Sequence, residues 1–213
     1  MDFNAYPNGV PVASAGGWPL NESPRLQSSN IPQIPPISAS NIRSLLCKID
    51  ELPAVVDVYE PDIIYITESK IKPTIPDFSV HLSNHFLLRR DRPTLASGVS
   101  IFVHSEIPCV KICDYEDPDI VSIWIKARPR ILPKEVSMIL FGTVYHPPSS
   151  CQDINQRLLQ HIQENVELFL RDHPEGLVLV CGDFNPASSR ITELGARRMT
   201  GLTQIIKVPN QPS

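Results

Sequence analysis

The segment LVLVCGDFNP, residues 177–186, places an acid and an amide two positions apart at the end of an apolar run. Residues 177–180 are predicted to form a buried strand that breaks at Gly182. Because side chains alternate along a strand, Asp183 and Asn185 would lie on the same face. A carboxylate and a carboxamide together can orient a water molecule and hydrogen-bond a phosphate. Gly-Asp turns also occur for backbone reasons alone, so this segment leaves a purely structural role open.

Further polar residues lie at or beside the ends of other predicted elements. Asn41 precedes a helical pattern, Glu68 follows an apolar strand, and Tyr145 ends a third strand. Cleavage of a phosphodiester needs an activated water, neutralisation of the phosphate charge and stabilisation of the leaving oxygen. Mg²⁺ supplies the last two and is held by one or two protein carboxylates. Glu68 is the best candidate ligand, although a lone glutamate in a loop is more commonly a solvated charge.

Apolar periodicity predicts the elements that must position these residues. A helix over residues 44–59 would be capped by Ser44 and interrupted by Pro53, and a second helix over residues 154–171 would be capped by Asp153. The predicted strands are residues 62–67, 81–88, 99–103, 119–126, 136–145 and 177–180. Strands in an antiparallel-like series, with one helix after the start and another before the last strand, predict stacked sheets flanked by helices, an α/β (α+β) fold.

The ordered set of segments resembles the endonuclease/exonuclease/phosphatase superfamily. More narrowly, it resembles the endonuclease domain that opens the polyproteins of non-LTR (LINE-type) retrotransposons, which also carry a reverse transcriptase. The matching segments are NIRSLLCKIDELPAVVDVYEPDIIYITES, RRDRPTLASGVSIFV, TVYHPP, VLVCGDFN and TGLTQIIKVP, within about residues 41–210. The resemblance implies a four-layer αββα sandwich and a metal-binding hydrolase that nicks DNA with Mg²⁺ or Mn²⁺ to prime reverse transcription.

The resemblance also implies a role for each candidate residue. Glu68 would bind the metal ion, and Asp183 would orient or deprotonate the attacking water. Asn41 and Asn185 would donate hydrogen bonds to the phosphate or hold its neighbours in place. Tyr145 would donate its hydroxyl to a phosphate oxygen, and packing on the prolines that follow is an equally open alternative for this ring.

The sequence departs from the family pattern in ways that bear on activity. No Ser-Asp-His motif, which the family carries near the C-terminus of the domain, occurs in the chain. Gly98 alone remains of a glycine run, and His146 stands where the family has arginine. We therefore expect a domain that lacks its last strands and is weakly active or inactive. Two alternatives remain: a phosphomonoester or inositol-phosphate hydrolase of the same fold, and a non-catalytic remnant or binding module.

Composition divides the chain into a tail and one domain. Pro, Ser, Gly and Asn fill half of the first 40 positions, so residues 1–36 are predicted to be disordered and residues 37–213 to form the domain. The formal net charge of −4 excludes a strongly basic nucleic-acid binder, so contact with DNA must come from local clusters. These clusters are Arg89, Arg90 and Arg92; Lys126, Arg128, Arg130 and Lys134; and Arg197 with Arg198.

Cysteine spacing and hydropathy indicate the cellular compartment in which the protein is expected. The five cysteines form no paired CxxC framework, which predicts reduced thiols in an intracellular protein, with Cys181 packed in its strand. No apolar run is long enough to predict a membrane span. No Gly-rich nucleotide-binding loop occurs, so no small-molecule cofactor is expected. If the chain nicks DNA as the resemblance implies, its place of action is the nucleus.

Overall fold

The computed structural model describes residues 34–92, 98–147 and 152–184. Nearly all of the predicted tail, and with it Asn185, Arg197, Arg198 and the segment at 201–210, lies outside the described residues. The helices are α1 (Leu52–Tyr59) and α2 (Gln152–Asp172). The strands are β1 (Ile37–Asn41), β2 (Ile63–Thr67), β3 (His85–Arg90), β4 (Val99–His104), β5 (Cys109–Lys111), β6 (Val121–Ala127), β7 (Met138–Tyr145) and β8 (Gly176–Asp183).

The strands described here form two sheets that follow one another along the chain. The first has the order β1-β2-β4-β3 and the second has the order β5-β6-β7-β8. Most neighbours are antiparallel, but β1 pairs parallel to β2 and β7 pairs parallel to β8. Each parallel pair ends in register, because Asn41 lies opposite Thr67 and Tyr145 lies opposite Asp183.

Alternating side chains on the central strands build three apolar clusters between four layers. Between the sheets lie Tyr65, Ile101, Ile123 and Phe141 with their neighbours. The other faces of these strands pack on helices. Trp124, Leu140 and Val144 contact Leu158, Ile162 and Val166 of α2, and Ile64, Ile66 and Phe102 lie with Leu45 and Leu52 on the side of α1. The predicted αββα sandwich is therefore confirmed.

The helix predicted over residues 44–59 is wrong in its first half. Leu45 is fully buried, and its N–H donates to the carbonyl oxygen of Ser69 at 2.8 Å, so this segment packs on the loop after β2 instead of coiling on itself. The Ser44 hydroxyl donates to the Cys47 sulfur at 3.4 Å and caps no helix. A 3₁₀ turn then leads into α1, where Pro53 lies in the first turn and no N–H is lost.

The last predicted strand is longer and less buried than expected. It does not break at Gly182 but continues to Asp183, with Gly182 paired to Val144 of β7. All its residues are half-buried, because β8 is the outermost strand of its sheet among the described residues. The short strands β1 and β5 were not predicted, whereas the strands near 62–67, 99–103, 119–126 and 136–145 are confirmed within a few residues, and the strand of 81–88 lies at β3.

The thiols of the described cysteines are unbridged. Cys47, Cys109, Cys113 and Cys181 carry no disulfide bond, and the reduced state of the protein in the cell stays a prediction. Cys181 packs against the cluster between the sheets, and burial raises the pKa of its thiol to about 11. A thiol with such a pKa is poorly nucleophilic at neutral pH. Neither α1 nor α2 has the length and apolar character needed to cross a membrane, and this holds for every described helix.

Candidate active site

The carboxyl ends of the two parallel strand pairs meet at one edge of the sandwich. β1 and β2 of the first sheet pack against β8 of the second. Asn41 ends β1, Glu68 directly follows β2, and Asp183 ends β8. The predicted residues therefore come from both sheets and converge, as expected at the carboxyl ends of parallel strands.

A single amide group joins the two acids at this edge. The Asn41 Nδ2 atom donates to Glu68 Oε1 at 3.0 Å and to Asp183 Oδ2 at 2.9 Å. An amide nitrogen has two N–H bonds, so these contacts use its full donor capacity. The opposite orientation of the amide would direct a carbonyl oxygen at two carboxylates and is excluded by repulsion. Glu68 and Asp183 are thus held at a common point.

The loop after β2 fixes the position of Glu68. Glu68 and Lys70 have left-handed backbone conformations, with φ of 52° and 51°. Such conformations persist in non-glycine residues only where the surrounding structure enforces them. Here Ser69 supplies the restraint: its N–H donates to the Gly98 carbonyl oxygen at 3.1 Å, and its own carbonyl oxygen accepts from the Leu45 N–H at 2.8 Å. The Glu68 side chain is 20% exposed, and Oε2 lies 3.9 Å from Lys70 Nζ.

The backbone around Gly182 fixes Asp183. Gly182 has a φ of 152°, and an added Cβ would lie 2.0 Å from the Val144 carbonyl oxygen. No side chain fits there, so glycine is required for the strand to reach Asp183 in register. The next ladder bond runs from the His146 N–H to the Asp183 carbonyl oxygen at 2.8 Å. The Asp183 carboxylate is consequently placed by β7 through backbone contacts.

Tyr145, the last residue of the parallel ladder on β7, and His146, which follows it, have different surroundings. Tyr145 lies opposite Asp183 on the face that packs between the sheets, and it is 7% exposed within the apolar cluster there. Its predicted hydrogen bond to a phosphate stays a prediction. His146 is buried, and its Nε2 atom contacts Asn155 Oδ1 of α2. The side chain that replaces the family's arginine is therefore engaged by the helix layer.

Arginines near this edge are already paired with acids. Arg89 contacts Asp77 Oδ1 at 3.0 Å and Asp91 Oδ2 at 3.4 Å. Arg90 contacts Glu116 Oε2 at 3.2 Å. These side chains of the first predicted basic cluster have their charge compensated within the chain, which argues against their use as a DNA-contacting patch.

The acids at this edge fit the requirements of Mg²⁺. This ion keeps several waters and is held by one or two carboxylates. Asn41 uses one oxygen of each acid. Glu68 Oε2 lies beside Lys70, and Asp183 Oδ1 forms no hydrogen bond or ion pair among the described residues. The described residues contain no group of three or more His, Cys, Asp or Glu side chains placed to hold a metal. Coordination would therefore depend on these two acids and on water or substrate oxygens.

Sequence reasoning missed Ser69 and Lys70 as parts of this site. Ser69 restrains the loop through its backbone, and Lys70 places a positive charge beside the Glu68 carboxylate. Their only sequence signal is their position directly after Glu68. Glu68 and Lys70 adopt left-handed backbone conformations, although neither residue type favours them. The sequence therefore gives no local signal for the shape of this loop.

Known proteins support the assignment of the fold through structural similarity and not through sequence similarity. The sequence matches no protein-family model and no curated protein. The catalytic domain of human Nocturnin, solved with a bound sulfate, superimposes with a TM-score of 0.56 at 13% identity, over 78% of this chain and 70% of that one. The chain has the endonuclease/exonuclease/phosphatase fold.

Other solved structures are similar to the same extent. The endonuclease domain of TRAS1, a telomere-specific non-LTR retrotransposon, gives a TM-score of 0.51 at 12% identity, over 75% of this chain and 69% of that one. ANGEL2, a 2′,3′-cyclic phosphatase solved with adenosine-2′,3′-vanadate, gives 0.53 at 14% identity, over 74% of this chain and 56% of that one. At these identities the likeness establishes the endonuclease/exonuclease/phosphatase fold and leaves the reaction to be argued from the site.

Proposed function

We propose that this chain is a divalent-metal-dependent phosphodiester hydrolase that nicks DNA. The observation that carries the proposal is the Asn41 amide, whose nitrogen lies 3.0 Å from Glu68 and 2.9 Å from Asp183. Two acids joined at the carboxyl edge of two sheets could hold a metal ion and activate a water for attack on a phosphate. The similarity of the fold to the TRAS1 endonuclease domain supports DNA as the substrate.

Each residue of the site would have a separate task. Glu68 would hold Mg²⁺ or Mn²⁺, which supplies positive charge at the phosphate when bound. Asp183 would orient the attacking water and accept its proton. Asn41 would keep the two acids at fixed separation, so that the water and the phosphate meet in line. Lys70 would limit the negative charge at Glu68 before the substrate arrives.

The same acids would serve a phosphatase, so the substrate class needs a direct test. The similarity to ANGEL2, a 2′,3′-cyclic phosphatase, favours cyclic phosphates as the second candidate substrate. A DNA-nicking activity would also place the protein in the nucleus. The weak activity expected from the missing Ser-Asp-His motif stays a prediction that the same assay measures.

The decisive experiment compares nicking by the parent chain and by variants at the two acids. Supercoiled plasmid is incubated with Mg²⁺ or with EDTA, and relaxed circles are counted over time. Glu68→Gln and Asp183→Asn should each lower the Mg²⁺-dependent rate by about 10²- to 10⁴-fold. Asp57→Asn, at an exposed acid of α1, is the matched control and should leave the rate unchanged.

Two outcomes would reject the proposed function. Nicking that persists in EDTA or in both site variants would show that the acids do not carry the reaction. Hydrolysis of a 2′,3′-cyclic nucleotide that depends on Glu68 and Asp183, without nicking of the plasmid, would replace the nuclease by the phosphatase.

A further inference from the structure

The connection between β6 and β7 carries a local cluster of positive charge. Residues 128–134, here named the basic loop, read RPRILPK. Arg128, Arg130 and Lys134 are all exposed. None of them forms an ion pair within the part of the chain that the structure describes.

Most of the other described arginines and lysines after Ser105 form ion pairs with acids. Lys111 contacts Glu116 at 2.9 Å, and Arg157 contacts Asp117 at 3.1 Å and Asp119 at 2.8 Å. The basic loop therefore differs from its surroundings in the availability of its charge. In a chain with a net charge of −4, such a local excess cannot arise from overall composition.

The backbone of the basic loop is anchored at several points. The Arg128 N–H donates to the Pro108 carbonyl oxygen at 3.1 Å, and the Val136 N–H donates to the Pro133 carbonyl oxygen at 2.9 Å. The Ser137 N–H donates to the Glu175 carbonyl oxygen at 3.0 Å. Pro129 and Pro133 further restrict the chain. The loop lines an open depression of about 230 Å³.

The basic loop lies at the opposite end of the second sheet from the acids. It precedes β7, whereas Tyr145 and Asp183 end β7 and β8. Eight residues of β7 span roughly 25 Å. The loop is therefore too distant to touch a phosphate that is being hydrolysed at Glu68 and Asp183.

We infer that the basic loop is a docking surface for the sugar-phosphate backbone of nucleic acid, separate from the active site. The inference rests on the proposed function for its choice of partner but not for its geometry. Exposed cations without carboxylate partners attract a polyanion, because each phosphate contact releases counterions into solution. A contact of this kind would hold DNA on the enzyme between attempts at cleavage, without reading its sequence.

The test measures binding of a fluorescent DNA duplex by anisotropy in EDTA, so that no metal-dependent cleavage interferes. Salt is varied from about 50 to 200 mM, the range in which phosphate contacts dominate the salt dependence. Replacing Arg128, Arg130 and Lys134 together by Gln should weaken binding and lower the salt slope by about 2 to 3, because each lost contact removes about 0.9. The charge-retaining variant Arg128→Lys, Arg130→Lys, Lys134→Arg should bind like the parent.

A second measurement needs no variant. Lys134 in the parent chain should be protected from chemical acetylation by bound duplex, whereas Lys48, which is exposed elsewhere, should remain reactive. Arg171→Gln, which removes one cation from the end of α2, controls for net charge and should change the slope little.

Three results would overturn the inference. The first is an unchanged affinity and slope in the Gln variant, and the second is equal acetylation of Lys134 with and without DNA. The third is loop-dependent binding to vesicles containing phosphatidylserine with no loop-dependent binding to DNA, which would assign the surface to membranes. Failure of Glu68→Gln to affect nicking would reject the proposed function and leave this binding result standing.

Discussion

The two ends of the sandwich hold their charges in different ways. At the carboxyl end, Asn41 bonds to Glu68 and Asp183, and the arginines nearby are paired with acids. At the other end, the basic loop exposes its cations with no ion pair among the described residues. Chemistry on a phosphate needs atoms at fixed positions, whereas attraction of a polyanion needs only charge density. The comparison predicts that substitutions at the carboxyl end act through geometry and those at the loop through salt dependence.

The largest effect on stability should come from Gly182→Val. Its side chain would overlap the Val144 carbonyl oxygen, where a Cβ has only 2.0 Å of room, at a φ of 152°. We expect a loss of more than about 4 kcal/mol in the free energy of unfolding, measured by urea denaturation. Ala39→Val, on the exposed strand β1 that meets the same edge, is the control and should change stability little. Equal stability of both variants would mean that Asp183 is not placed by the backbone.

Asn41→Asp should have the next largest effect. The substitution keeps the shape of the side chain but replaces a donor to Glu68 and Asp183 by a third carboxylate. In EDTA we expect a loss of about 1–3 kcal/mol in the free energy of unfolding, because two acids lose their partner and meet a like charge. Mg²⁺ should restore part of the melting temperature, since the added carboxylate strengthens a metal site. A melting temperature that is unchanged in EDTA would argue against the bridge.

Tyr65→Phe should be mildly stabilising. The Tyr65 hydroxyl is buried between the sheets and has no hydrogen-bond partner among the described residues. Burial, together with Cys181, raises the pKa of the phenol well above its usual value. Removal of this hydroxyl should increase the free energy of unfolding by about 1 kcal/mol. Tyr59→Phe, at a tyrosine that is 70% exposed, is the matched control and should have no effect. Destabilisation by Tyr65→Phe would indicate a partner for the hydroxyl, such as a buried water.

Arg157→Gln should have the smallest effect, and that effect should depend on pH. Burial raises the pKa of Asp117, but the hydrogen bonds from the Asp119 N–H and the Arg157 guanidinium together lower it by more. The pKa of Asp117 is therefore below its ordinary value. A lowered pKa stabilises the folded chain above the ordinary carboxyl pKa, and this contribution is lost as the pH falls through the lowered value. The melting temperatures of parent and variant should therefore differ slightly at pH 7 and converge below about pH 4.

Arg157→Gln also tests whether paired cations and the cations of the basic loop differ in their contribution to DNA binding. Arg157 is already paired, so Arg157→Gln should leave the salt slope of DNA binding unchanged, in contrast to the Gln substitutions in the basic loop. A salt slope that falls equally in both would show that pairing with acids does not withhold a cation from DNA.

Much of the fold could be predicted because its central strands alternate clearly. Val121, Ile123 and Ile125 face the other sheet, and Trp124 faces α2, as the sequence pattern indicates. The pattern of β1 could not be recognised, because only Ile37 in ISASN is strongly apolar and the strand is largely exposed. The parallel pairing of β1 with β2 and of β7 with β8 depends on contacts between distant segments, which periodicity does not encode.

The sequence pointed to three residues that the structure brings together, but it did not predict the hydrogen bonds between them. Glu68 and Asp183 were identified because each acid follows an apolar strand, and Asn41 because of the family resemblance. The amide bridge could not be foreseen, since it requires the edges of two sheets to meet. The false start of the helix at Ser44 has a similar cause: the bond from Leu45 to Ser69 is a tertiary contact that overrides local helix propensity.

Each of the two sheets is formed by one continuous half of the chain. The first sheet and α1 come from residues before Ser105, and the second sheet and α2 come from residues after it. Asn41 and Asp183 are 142 positions apart, and each half contains one side of their hydrogen bond. Two fragments cut at the turn between β4 and β5 would each lack one side of this bond, and the proposed nicking activity would require both fragments to reassociate. Activity measured on mixed fragments would then report how far the two halves have assembled.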